Sequence, residues 1–103
     1  MNIFVDMKKH LAMLEFGPTL TKKRAFAYCI SHDIRYIAKY DKTRIKSLLD
    51  EGLIVCFCDK IGKCGIKPYL YSKGPDGKYY VHFYINYRNQ FHHQEIFTKE
   101  EKL

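Results

Sequence analysis

The stretch Gly74-Pro75-Asp76-Gly77 constrains this chain most, because it lies between two aromatic runs. Proline presets φ for a turn and the glycines accept φ values that other residues avoid. Ile66–Ser72 and Lys78–Arg88 therefore read as the two arms of a β-hairpin. If Lys73 pairs with Lys78 across the turn, Leu70 faces Val81, Pro68 faces Phe83, and Ile85 extends an inward apolar side. The opposite side then collects Tyr69, Tyr71, Tyr80, His82, Tyr84, Asn86 and Arg88. Tyrosine joins a large rigid apolar body to a polar tip, so this face suits a macromolecular partner or stacking on unpaired bases. Packing against the N-terminal helix is the other use for it. A shift of one residue in register would exchange the two faces.

Upstream, the hydrophobic period changes. Phe4, Met7, Leu11 and Leu14 recur at steps of three and four, which predicts a helix over about Ile3–Phe16, stopped by Gly17-Pro18. Thr19 or Thr21 can cap a second helix through Lys22-Lys23-Arg24, with Ala25, Phe26, Cys29 and Ile30 inward. Ser31-His32-Asp33 breaks that helix, and Ile34 to about Tyr40 reads as a short third one. Asp41 then caps a segment whose stripe is Ile45, Leu48 and Leu49, and Gly52 ends it. Leu53–Cys58 is β-branched and aromatic, hence a strand. Helices followed by strands make an α+β domain, here N-terminal helices before an antiparallel sheet of two or three strands. One domain over residues 1–97 with a polar tail at 98–103 accounts for the length.

Charge narrows the function. The chain carries +7, and residues 19–46 hold +6 of it, from Lys22, Lys23, Arg24, Arg35, Lys39, Lys42, Arg44 and Lys46 against Asp33 and Asp41. A focused basic field draws anions, either nucleic acid or an acidic protein surface, and it excludes an acidic mimic of DNA. A solvated lysine-rich helix face is the plainer account. No run approaches the ~18 apolar residues of a membrane span. The apolar run Ile3–Val5 is short, and Asp6, Lys8, Lys9 and His10 follow it, so a cytoplasmic location is expected.

Four cysteines without an export signal point to thiols or a metal before disulfides. Cys56-x-Cys58 puts two sulfurs on one strand face, and the loop through Gly62 and Gly65 can return Cys64 beside them. With Cys29 as fourth ligand, or one of His32, His82, His92 and His93, they would form a closed structural Zn²⁺ shell. Such a staple suits a small core. Unliganded thiols or a disulfide are the alternatives.

Catalysis finds little support. No P-loop, dinucleotide fingerprint, H-E-x-x-H or G-x-S-x-G occurs. His92-His93-x-Glu95 has the residue types for acid–base work, but adjacent strand residues point to opposite sides. The expectation is a non-enzymatic binding protein with no small-molecule substrate and no membrane role.

Two resemblances sharpen this. Helices within residues 21–51, the phrase Leu48-Leu49-Asp50-Glu51-Gly52-Leu53-Ile54 and a two-stranded wing, together residues 21–87, resemble the winged-helix DNA-binding family. That likeness implies Asp41–Glu51 in the major groove, with Lys42, Thr43, Arg44 and Lys46 toward DNA. The Cys loop and the very aromatic wing depart from that pattern. In general character, being short, lysine-rich, single-domain and without a catalytic motif, the chain resembles small inhibitors carried by phages and mobile elements, among them anti-CRISPR proteins. This second likeness implies a protein partner that handles nucleic acid, such as a CRISPR effector nuclease, whose access to DNA is blocked.

Overall fold

The computed structural model describes residues 3–14, 18–62, 65–85 and 90–98. Three helices and five strands follow in the order α1 (Ile3–Met13), α2 (Lys22–Ser31), β1 (Ile34–Ile37), α3 (Lys42–Asp50), β2 (Ile54–Lys60), β3 (Ile66–Lys73), β4 (Tyr79–Ile85) and β5 (Gln90–Ile96). The strands form one sheet in sequence order. β1 and β2 are parallel and the other neighbours antiparallel. Parallel neighbours need a crossover, and α3 supplies it.

The chain is therefore α+β as expected, but its sheet is mixed and five-stranded. Two strands escape the sequence pattern. Ile34–Ile37 is β1, not a helix: Ile34 enters one core and Ile37 the other. A strand sandwiched between helices buries residues on both faces, so a spacing of three imitates a helical stripe. β5 is an edge strand of mostly exposed polar residues, without the apolar alternation that marks a strand in sequence.

Local signals elsewhere act as read. The Thr21 hydroxyl accepts from the Arg24 amide at 3.1 Å and starts α2. The Asp41 carboxylate accepts from the Arg44 amide at 3.2 Å and starts α3. Gly52 sits at φ 87°, where its amide and that of Leu53 donate back to Leu49 and Leu48 and close α3.

Helices lie on both sheet faces. α1 and α2 cover one, burying Met7, Leu11, Ala25 and Cys29 on Ile34, Cys56, Leu70 and Tyr84. α3 covers part of the other, setting Ile45, Leu48 and Leu49 on Ile37, Val55, Tyr71 and Val81. This corrects the winged-helix layout: residues 21–51 contain two helices and a strand, and α3 packs on a sheet instead of on a helix pair. A second correction concerns α2. Ala25 and Cys29 are buried, but Phe26 and Ile30 are 49% and 63% exposed. The helix approaches the sheet along a narrow i, i+4 line, leaving its neighbouring positions beside β1.

Among the described residues no helix is long and apolar enough to cross a membrane.

Candidate functional site

The hairpin decides which side chains share a surface. The Gly77 amide donates to Gly74 O at 3.0 Å, and the Gly74 amide donates to Lys78 O at 2.8 Å. With Gly77 at φ 82°, this is a three-residue loop closed by a glycine bulge. Lys73 then pairs with Tyr79, Ser72 with Tyr80, Tyr71 with Val81 and Leu70 with His82. The sequence-based register is off by one residue, so the single tyrosine face does not exist. Tyr69 and Tyr71 lie on the α3 side, whereas Tyr80, His82 and Tyr84 lie on the α1 side. Arg88, with Asn86, lies outside the described residues.

On the α1 side these groups are packing elements. His82 is fully buried, its Nε2 2.8 Å from Ser72 Oγ, with Phe4, Phe91 and His93 around the ring. Burial, and next the charge of His93, hold its pKa down at about 4. Tyr80 donates its hydroxyl to Asp76 Oδ2 at 2.7 Å, and that carboxylate pushes the phenol up to about 12. Tyr84 is buried against Phe91.

On the α3 side an aromatic row crosses the sheet above the part that α3 covers. Phe57 pairs with Tyr69, and Phe83 pairs with His92. Ring centres are 5.3 Å apart for Tyr69–Phe83 and 5.2 Å for Phe83–His92. Tyr40 continues the row 5.8 Å from Phe57. The Lys67 ammonium stands over two of the rings, 5.0 Å from Phe83 and 5.5 Å from Tyr69. Sequence reasoning missed Phe57, Lys67 and Phe83 as surface groups. The correct hairpin register, with period-two alternation, would have found them.

The basic residues of 19–46 divide among three places. Lys22, Lys23 and Arg24 are exposed on the first turn of α2, where Arg24 donates to Thr19 O at 2.8 Å. Lys42 and Lys46 stand over the rings of Phe97 and Tyr79. Arg35, Lys39 and Arg44 gather around edge strand β1. One groove of ≈ 660 Å³ there is lined by Phe26, Ile30, Arg35, Tyr36 and neighbours. Another of ≈ 520 Å³ is lined by Tyr36, Lys39, Tyr40, Asp41, Arg44 and neighbours.

Cys29, Cys56 and Cys58 are buried free thiols in one core cluster under α2. Cys56 and Cys58 Sγ are 4.0 Å apart, and Cys29 packs in the same cluster. The neighbouring Cys56 thiol lowers the Cys29 pKa, while Cys29, Cys58 and burial raise that of Cys56. Cys64 lies outside the described residues. Among the described residues no group of three or more His, Cys, Asp or Glu side chains is arranged to hold a metal ion. Of the alternative ligands, His32 stacks on Tyr28 at 3.9 Å, while His82, His92 and His93 are occupied on the far strands.

A comparison with family models, characterised proteins and solved structures finds no match.

Proposed function

We propose that this chain is a non-enzymatic binding protein that grips an acidic surface of a nucleic-acid-handling protein, as an inhibitor of the anti-CRISPR type would. The observation carrying this reading is the β1 edge. There the exposed Phe26 and Ile30 stand beside a strand that pairs on one side only among the described residues, in a groove with Arg35 and Asp33, and Lys39 and Arg44 line the groove that follows along the same strand. Exposed apolar anchors ringed by cations supply the two ingredients of a specific interface, a buried centre and a charged periphery. Positive charge on the rim selects an acidic partner and speeds the encounter.

Pull-down with CRISPR effector nucleases as bait, wild type against Phe26→Ser/Ile30→Ser, tests the proposal. Retention and inhibited DNA cleavage by the wild type, both lost in the folded double variant, are expected. Binding to free duplex DNA with a steep salt dependence, and none to the nucleases, overturns it.

The same proposal gives the thiol cluster a structural role. Cys29, Cys56 and Cys58 with Cys64 would hold Zn²⁺ as thiolates once the three buried thiols draw together around it, since no three described side chains are arranged around a metal here. Their 4.0 Å Cys56–Cys58 spacing is close to the roughly 3.8 Å edge of a zinc–thiolate tetrahedron. Metal analysis after chelator-free purification tests this role: about one zinc per chain is expected, and less than about a tenth refutes it.

A further inference from the structure

We infer that the aromatic row on the α3 side of the sheet is a stacking platform for the unpaired bases of a single-stranded nucleic acid. This goes beyond the protein-binding reading and rests on other anchors, the aromatic row and the Phe26/Ile30 edge sharing only the groove of Lys39 and Arg44. Four neighbouring strands each place one ring in a single lateral line, Phe57, Tyr69, Phe83 and His92, so the rings are held at strand spacing by the backbone itself. Phe57, Tyr69 and Phe83 are each partly buried, anchored in the core at one side and open at the other. Rings fixed in this way lose little freedom when a base lies on them, and every base offers a π face.

Charge identifies the strand that the rings would serve. Lys67 stands at the row on Phe83 and Tyr69, within reach of a phosphate once a base takes its place on the rings. At the Tyr40 end the row opens into the groove that holds Lys39 and Arg44. The line thus runs from ring faces toward cations, the order that a chain of bases on a phosphate backbone requires. Asp59 is the acidic neighbour of Tyr69, and its charge helps burial raise that phenol's pKa. A duplex keeps its base faces inside its own stack, so only unpaired bases can use this surface.

Fluorescence anisotropy with labelled ten-nucleotide DNA and RNA single strands, and the corresponding DNA duplex, tests the assignment. The single strands should bind more tightly than the duplex. Tyr69→Leu and Phe83→Leu, which keep apolar volume but remove the ring, should each weaken binding about tenfold. Lys67→Gln should weaken it less and flatten its salt dependence. Circular dichroism of each variant separates these effects from unfolding. Because the Phe26/Ile30 edge is separate, its variants should leave oligonucleotide affinity unchanged, and the leucine variants should leave nuclease retention unchanged. Equal binding of duplex and single strands, no binding, or leucine variants matching the wild type overturns the inference. Loss of nuclease retention in the leucine variants without a change in oligonucleotide affinity would make this face a protein interface and overturn it equally.

Discussion

Mild acid should destabilise this protein measurably through His82. Its ring is fully buried, holds Ser72 Oγ through Nε2, and has no hydrogen-bond partner at Nδ1 among the described residues. A proton on that ring would place charge among Phe4, Phe91 and His93, so its pKa is held near 4 against an ordinary 6.5. The unfolded chain takes up the proton at about 6.5, so between there and about 4 the unfolded state binds one proton more than the folded state. Stability must therefore fall as pH falls through that window and be unaffected by this group above it. Linkage gives a loss of roughly 2.5 kcal/mol at pH 4.5 relative to pH 7.5, and about 3 kcal/mol in full. Urea unfolding across this range measures it. The control is Ser72→Ala/His82→Phe, which replaces both hydrogen-bonding partners with apolar groups and so leaves no orphaned hydroxyl. Subtracting the control removes the other histidines and the carboxylates from the comparison. Parallel stability–pH curves for wild type and control from pH 7.5 to 4.5 would refute the reasoning.

Other expectations are structural. A Cβ at Gly74 would lie 2.7 Å from Asp76 Oδ1 and 2.9 Å from the Tyr80 ring, so Gly74→Ala should cost about 1–3 kcal/mol in thermal or urea unfolding. Leu49 is fully buried on the sheet-facing side of α3, and Leu49→Ala should cost roughly 2–5 kcal/mol, read as a lower urea midpoint at unchanged slope. Asp41→Ala removes the cap of α3 and should cost about 1 kcal/mol, whereas Asp41→Asn should keep nearly all of the stability.

Signals that act within a few residues were legible in the chain. Thr21, Asp41 and Gly52 each serve a helix end through an adjacent amide or a backbone conformation, so their chemistry needs no tertiary context. The gathering of Cys29 with Cys56 and Cys58 was also legible, because an inward helix position and a strand face must meet in so small a core. What escaped depends on both sides of the sheet at once. Ile34 and Ile37 look helical until α3 is placed opposite α2. Phe26 and Ile30 look like core until the sheet is seen to end at β1. The tyrosine face is absent for a smaller reason: with Gly77 in a left-handed φ the turn closes over three residues, so Gly74 meets Lys78 and Lys73 meets Tyr79.

That pairing fixes more than the turn. Residues paired across an antiparallel ladder share a side of the sheet, so the match of Lys73 with Tyr79 assigns every side chain of β4, and through β4 those of β5, to α1 or to α3. Slipping the pairing by one residue would turn His82 and Tyr84 toward α3 and put Val81 and Phe83 beneath α1. The aromatic row and the buried histidine would be lost together. Changes in this loop should therefore be tolerated wherever the new turn keeps that match.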